Sequence, residues 1–407
     1  MTPKTSKSAI TLAVLTAALG FFVDAYDLLL YGIVRNQSLM SMGLSGEKLL
    51  SVGIDLLNAQ LFGMLAGGVI FGILGDKRGR RSVLFGSIIL YSAATLLNGF
   101  VYGIPQYAAC RFLAGVGLSG ELGAGVTLVS ELMSKELRGY GTMLIAAIGV
   151  LGVVAASLIG DALPWRTAYM IGGALGTLLL ILRFGVAESE LFNQAKTGSA
   201  ARGNFLSLFT NAQRLRRYIC LILVAMPIWY AIGILITFSP ELGKTMGLFS
   251  APQAGKAILL YYSGLTLGDL TNGWLSQMFK TRKKIVLIFL VLTAGSICAY
   301  FIFGGRTLWG FYALCGLLGW ASGYWAVFVT VAAESFGTNV RATVAITAPN
   351  FVRGLTALLA LTFKGFKPSL GVLPCAMAIG AVVVVLAFIS FSQIEETFGK
   401  DLDYLEV

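Results

Sequence analysis

The chain contains no histidine. That removes imidazole-ligated zinc or haem and any histidine proton relay. Charge is scarce as well: Asp, Glu, Lys and Arg make up 12% of the 407 residues, about half the share of an ordinary soluble domain. The five cysteines, Cys110, Cys220, Cys298, Cys315 and Cys375, stand singly in apolar runs without CxxC spacing. They read as small packing residues, not as metal ligands or a disulfide framework. No GxxxxGK[ST] loop is present, which argues against ATP-driven work in this chain. What is abundant is apolar: 57% of residues are hydrophobic and the mean hydropathy is +0.82. Collagenous, disordered and secreted disulfide-rich classes are excluded, and a polytopic membrane protein remains.

Apolar runs fall at 8–34, 49–74, 83–103, 107–132, 141–160, 167–185, 218–239, 255–279, 285–304, 308–333, 342–364 and 371–392. At about 20 residues per crossing, twelve spanning helices need about 240 residues and leave short loops. The first run is too long and too rich in carboxylate for a cleaved signal peptide. The polar stretch 186–217, with GSAARGN and then RLRR, reads as a linker between an N-terminal six-helix bundle (1–185) and a C-terminal one (218–407).

Basic residues concentrate in alternate loops. Lys77, Arg78, Arg80, Arg81, Lys135, Arg138, Arg214, Arg216, Arg217, Lys280, Arg282, Lys283, Lys284 and Arg341 fall on one side, against Arg35, Lys48, Arg166, Lys244, Arg306 and Lys367 on the other. The positive-inside rule then places both termini in the cytoplasm. The net charge of +11 follows from this bias and needs no nucleic-acid partner. Short loops and compact length fit a bacterial inner membrane.

The halves resemble each other. GILGDKRGRR at 72–81 returns in degenerate form as GWLSQMFKTRKK at 273–284, a displacement of 201. Glu131 precedes Arg138 by seven residues, and Glu334 precedes Arg341 by seven, a displacement of 203. Two landmarks at nearly one offset argue for a duplicated six-helix unit.

Ionisable residues at bilayer depth must pair or line a water cavity. Asp24 and Asp27 in the first run, Arg111 and Glu121 in the fourth, Asp269 in the eighth and Arg353 in the eleventh occupy such positions. Asp24 and Asp27 share a helical face with Gly20 and Tyr31, a stripe without aliphatic residues that is expected to face a cavity. Two carboxylates so close do not both ionise easily, which suits a proton carrier. The alternative is a structural pair neutralised by Arg111. Glu121 is either a second protonatable or substrate-contacting group or a packing carboxylate. Arg353 can clasp an anionic substrate bidentately or pair with Asp269. Trp229, Tyr230, Tyr261, Tyr262, Tyr324 and Trp325 offer aromatic walls for an organic substrate.

GILGDKRGRRSVL resembles the signature loop of the major facilitator superfamily between its second and third helices, matching every fixed position. The second copy departs from it, with Gln277 in place of Asp76. RFLAGVGLSGE (111–121), ELMSKELRG (131–139), PWRTAY (164–169) and VAESELF (186–192) resemble further stretches of that family, so the resemblance spans nearly the whole chain. FFVDAYDLLLYG (21–32) is similar to the first helix of phosphate–proton and metabolite–proton symporters. GLSGELGAGVTLVSE (117–131) is similar to their fourth helix, with the usual Gly pair broken to Ser119-Gly120. PNFVRG, with Arg353, is similar to the eleventh helix of aromatic-acid–proton symporters. The fifth run lacks the proline common in antiporters of the superfamily.

The resemblance implies an all-α membrane protein of twelve helices in two pseudo-symmetric bundles. It implies a monomeric, cofactor-free and non-enzymatic secondary transporter working by alternating access. The leading expectation is proton-coupled import of a small polar metabolite, an organic anion. Proton coupling would fall to Asp24, Asp27 and Glu121. Substrate binding would fall to Tyr31, Arg111, Trp229, Tyr230, Tyr261, Asp269, Tyr324 and Arg353. Gly72, Asp76, Arg80, Glu131, Arg138, Glu334 and Arg341 would form a conformational latch, with Asp76 paired to Arg80 and facing the N-terminus of the eleventh helix. Without a latch role, the same charges would only set topology. A proton-coupled exporter and a non-transporting receptor of the same fold are the alternatives.

Overall fold

A computed structural model describes residues 7–134, 137–183 and 205–404. Its helices are α1 (Lys7–Ser41), α2 (Gly46–Arg78), α3 (Arg80–Asn98), α4 (Ile104–Leu118), α5 (Glu121–Leu132), α6 (Arg138–Ala162), α7 (Trp165–Leu182), α8 (Ser207–Thr210), α9 (Ala212–Tyr230), α10 (Ser239–Thr245), α11 (Ala254–Met278), α12 (Lys283–Phe303), α13 (Leu308–Ala321), α14 (Trp325–Glu334), α15 (Arg341–Leu370) and α16 (Val372–Phe391). Among the described residues, eleven helical stretches are long and apolar enough to cross a membrane. The eighth of the twelve spans is α11, 25 residues long, whose Lys256, Asp269, Asn272 and Gln277 dilute its hydropathy.

Two spans are broken in the middle, and the breaks match. The fourth span is α4 and α5, interrupted at Ser119-Gly120. The tenth is α13 and α14, interrupted at Ser322-Gly323, again 203 residues on. The seventh span, α9, contains Pro227 and continues as a π-helical turn, Ala231–Ile236. A proline removes one ladder hydrogen bond, and the wider turn absorbs the mismatch.

The seventh span starts at Ala212, inside the stretch expected to be linker. Asn211 accepts hydrogen bonds from the Gln213 and Arg214 amides at 2.9 and 3.2 Å and starts the helix there. The rest of the expected linker, 186–204, lies outside the described residues.

Within the N-terminal half the first span packs on the fifth, the second on the fourth, and the third on the fourth and sixth. The C-terminal half repeats the scheme, with the eighth span on the tenth and the seventh on the eleventh, and the seventh also packs on the twelfth. Backbones meet closely in both. A methyl at Gly115 would lie 2.1 Å from the Gln60 carbonyl oxygen, and one at Gly319 would lie 1.9 Å from that of Tyr261. Close backbone approach at small residues substitutes for the hydrophobic drive that lipid does not supply. The halves meet along the second and eleventh spans and along the fifth and eighth.

The repeat extends to the backbone of the signature loop. Gly79 has φ 100°, and Lys280, 201 residues on, has φ 52°. The degenerate copy keeps the left-handed turn and loses the glycine that makes it comfortable.

Candidate functional site

The charged side chains buried between the helices form a column of ion pairs. On the face carrying the basic loops, Asp76 lies 3.2 Å from Arg80. Its two carboxylate oxygens accept the Ala342 and Thr343 amides at 3.1 and 2.8 Å, at the N-terminus of the eleventh span. An anion at a helix N-terminus meets unpaired amides and the positive end of the dipole. Glu131 accepts from Arg80 at 2.9 Å and from Arg341 at 3.0 Å. Since Asp76 and Glu131 belong to one half and residues 341–343 to the other, this cluster binds the halves together. Thr330 and Thr142 hydroxyls at 2.9 Å, and Asn350 donating to the Ser119 carbonyl at 2.7 Å, reinforce it. Gly72 packs where the second span meets Thr343.

Glu334, the repeat partner of Glu131, pairs with Arg282 at 3.4 Å and accepts from Thr397 at 2.8 Å. Arg282 follows Arg80 by 202 residues, so the two halves carry the same Arg–Glu pair. The Arg138 side chain lies outside the described residues. The chain end also joins the cluster: the Leu402 carbonyl accepts from Arg341 at 2.5 Å and from Thr338 at 3.0 Å.

Deeper in, Glu121 is held by Arg183, with one contact at 2.9 Å, and accepts from Ser87 at 3.4 Å. Gly20 leaves the room for this pair; a methyl there would lie 2.1 Å from the Arg183 guanidinium. Asp27 accepts from Arg111 at 3.2 Å, and Arg111 also donates to Gln60 at 3.1 Å. The Arg111 guanidinium sits over the rings of Tyr31 and Tyr169 at 5.6 and 5.2 Å.

Asp24 differs from both. It points out of its own half toward Arg353, 3.8 Å away on the eleventh span. Neither of its oxygens accepts a hydrogen bond. Arg353 lies 5.6 Å from both the Trp229 and Trp325 ring centres. Arg353 Nε and Trp229 Nε1 are likewise buried without an acceptor. Arg353 and Trp229, together with Phe21, Tyr261, Tyr262 and Trp325, line a small central cavity of about 30 Å³. A second cavity of about 100 Å³ adjoins it away from the basic face, sharing Leu28, Leu29, Trp229 and Tyr262 and reaching Arg35 and Asn58. The Asp76–Glu131–Arg341 cluster thus joins the halves on the basic face, and the two central cavities extend from it toward the opposite side.

Several side chains differ from the sequence expectation in their surroundings. Of the stripe Gly20, Asp24, Asp27 and Tyr31, all but Asp24 pack inside the N-terminal half, and the cavity is lined by the neighbouring face, Phe21, Ala25, Leu28 and Leu29. The reason is charge: Asp27 and Glu121 face the buried Arg111 and Arg183, leaving only Asp24 to cross the interface. Tyr31, Tyr230 and Tyr324 donate to the carbonyls of Gly53, Ala376 and Val224 at 2.9, 2.6 and 2.9 Å, and line neither cavity. Arg353 pairs with Asp24, not with Asp269, which accepts the Ala326 amide at 3.0 Å.

Arg183, Arg282, Asn350 and Gln60 also join the buried network, beyond the site residues the sequence points to. Arg282 was within reach by aligning the two repeats on Arg80. Arg183 carried one signal, a lone charge closing the sixth apolar run.

The Major Facilitator Superfamily model matches residues 8–361. A putative niacin/nicotinamide transporter of Bacillus subtilis is 27% identical over 343 residues, 83% of this chain and 84% of that protein. The 3-(3-hydroxy-phenyl)propionate transporter of Escherichia coli is 25% identical over 349 residues, 84% of this chain and 83% of that protein. Among solved structures, a proton:xylose symporter bound to 6-bromo-6-deoxy-D-glucose superposes with a TM-score of 0.77 at 18% identity, covering 98% of both chains.

Proposed function

The chain belongs to the Major Facilitator Superfamily, and from that premise we propose that it imports a small organic carboxylate together with a proton. It is a multi-pass membrane transporter of small molecules and not an enzyme. The observation that carries the proposal is the Asp24–Arg353 contact: 3.8 Å, across the two halves, beside Trp229 and Trp325.

Arg353 is the one cationic side chain lining the central cavity, and Asp24 competes with any incoming anion for it. A proton on Asp24 removes the competitor. The substrate carboxylate then takes the guanidinium, with the Trp229 indole N–H as a further donor. An organic body, aromatic rings above all, packs against Trp229, Trp325 and Tyr262. That chemistry agrees with the 3-(3-hydroxy-phenyl)propionate transporter and with the niacin, though not the nicotinamide, of the putative niacin/nicotinamide transporter among its relatives.

Rocking of the halves releases the Asp76–Glu131–Arg341 cluster and opens the basic face. When Asp24 loses its proton to that side, it recaptures Arg353 and expels the carboxylate. Proton and substrate therefore move together, because one guanidinium serves two anions in turn. Asp27 and Glu121 stay with Arg111 and Arg183 and hold the N-terminal half rigid. The basic face and both termini lie in the cytoplasm, in keeping with the positive-inside rule, and the membrane is a bacterial inner membrane.

Purified protein is screened for thermal stabilisation by nicotinate, benzoate, 3-(3-hydroxyphenyl)propionate, sialic acid and lipophilic cations, at acid and neutral pH. Stabilisation by carboxylates, stronger in acid, is the expected result. Stabilisation by lipophilic cations alone, stronger at higher pH, refutes the reading and favours an exporter.

A further inference from the structure

Among the described residues, seven carboxylates are buried within the helix bundle, and six of them face an arginine. Asp24, Asp27, Asp76, Glu121, Glu131 and Glu334 pair with Arg353, Arg111, Arg80, Arg183, Arg341 and Arg282. Asp269 on the eighth span is the seventh. It is fully buried and forms no salt bridge.

One of its oxygens accepts the Ala326 amide at 3.0 Å, at the start of α14 just past the break of the tenth span. The Trp325 amide also faces the carboxylate, and Oδ2 has no close partner. A helix end answers only part of a full negative charge.

Two more buried polar side chains in this region have oxygens that accept no hydrogen bond. Asn272 stands three residues from Asp269 on the same helical face, fully buried, with neither its oxygen nor its nitrogen engaged. Ser322, also fully buried, has its hydroxyl beside that of Tyr261, which itself donates to the Ile228 carbonyl at 3.2 Å, so the Ser322 lone pairs receive no hydrogen bond. It sits in the break, beside Gly323, whose added methyl would lie 2.5 Å from the Asp269 amide nitrogen. An acid, an amide and a hydroxyl with free oxygens therefore flank one interrupted helix. Buried polar atoms are seldom left so.

The two breaks differ in how the neighbouring acid is answered. Ser119-Gly120 in the fourth span corresponds to Ser322-Gly323 in the tenth, 203 residues on. Beside the first break, Glu121 has Arg183. The position 203 residues after Arg183 is Leu386, partly exposed on the twelfth span. The repeat position of Glu121 is Tyr324, and the acid at the second break, Asp269, comes instead from the eighth span and has no arginine paired to it.

We propose that Asp269, Asn272 and Ser322 bind a small monovalent cation of the sodium class at the break of the tenth span. A proton would neutralise Asp269 and leave the Asn272 and Ser322 oxygens unused; a metal cation takes lone pairs from all three. Unwound backbone next to an acid at mid-membrane is suited to that task. None of the three residues lines the Asp24–Arg353 cavity, although Tyr261 and Trp325 adjoin both, and sodium binding without organic substrate is read independently of the proton-coupled reading.

The test uses full-length detergent-purified protein without organic substrate. Its thermal unfolding is followed in sodium, lithium, potassium and choline chloride at one ionic strength and one pH. A saturable rise in melting temperature with sodium over choline is expected, lost in Asp269→Asn and weakened in half-saturation several-fold in Ser322→Ala. Equal melting in sodium and choline overturns the proposal, as does a sodium effect that survives Asp269→Asn. Should Asp269→Asn fail to fold, radioactive sodium binding to the wild type and to Ser322→Ala decides. No saturable binding, or binding identical in the two proteins, overturns it.

Discussion

Replacing Asp24 with Asn isolates the competition for Arg353. The charges are 3.8 Å apart, and at an effective dielectric of about 20 their attraction is worth about 4 kcal/mol. An anionic substrate must overcome that attraction at neutral pH unless Asp24 takes a proton first. In Asp24→Asn the competitor is gone at every pH. Even if water entering the cavity screens two-thirds of the energy, about 1.4 kcal/mol remains, which is roughly tenfold in affinity. Binding of a carboxylate identified in the stability screen is therefore expected to tighten about tenfold at neutral pH and to lose its dependence on acid. Accumulation against a gradient should vanish, since no proton is carried, while exchange across proteoliposomes persists. Titration calorimetry reads the first effect and radiolabelled uptake the second. Binding that still strengthens in acid, or proton-driven accumulation in Asp24→Asn, refutes the reasoning.

Three further outcomes follow from the same geometry. Asp76→Asn removes the charge that receives the Ala342 and Thr343 amides. Charged hydrogen bonds are each worth about 1.5–3 kcal/mol, so spin labels at positions 78 and 278 should report a larger open population on the basic face; an unchanged distance distribution would exclude a latch. Gly152→Ala places a methyl 1.9 Å from the Phe22 carbonyl oxygen and should cost about 1–3 kcal/mol, seen as a lowered melting temperature. Gly32→Ala, with no atom within 4 Å of the added methyl, should leave melting unchanged. Glu396, beyond the last span, ties the chain end to the ninth. Partial burial works against its charge, but hydrogen bonds from the Thr281 hydroxyl and the Arg282, Phe398 and Lys283 amides outweigh that and hold its carboxyl below the usual carboxylate range. Its contribution is therefore complete at neutral pH and disappears as pH falls through the lowered value. Protease protection of the tail should fail in acid for the wild type, and at neutral pH already in Glu396→Gln.

Much of the architecture was legible without coordinates. Hydropathy exposes apolar helices of spanning length because the bilayer imposes one length and one polarity on each. The duplicated unit was readable because Asp76, Arg80, Glu131, Glu334 and Arg341 are charges in an apolar chain, where each stands out. The same scarcity flagged Asp24, Asp27, Arg111, Glu121, Asp269 and Arg353. Pattern alone did not supply partnership. Asp24 and Asp27 share a helical face three residues apart, yet one binds within its half and the other reaches across the interface. Arg353 had two acids open to it, and it is the packing of the eleventh span on the second that brings it to Asp24. Tyr230 and Tyr324 looked no different from Tyr262 in sequence, but their hydroxyls end on backbone carbonyls while Tyr262 lines the cavity. A single chain determines which residues are too costly to leave unpaired in lipid. Which of them meet is decided only when helices far apart in sequence are packed side by side, because an ion pair across two helices depends on rotation and depth that neither helix sets alone.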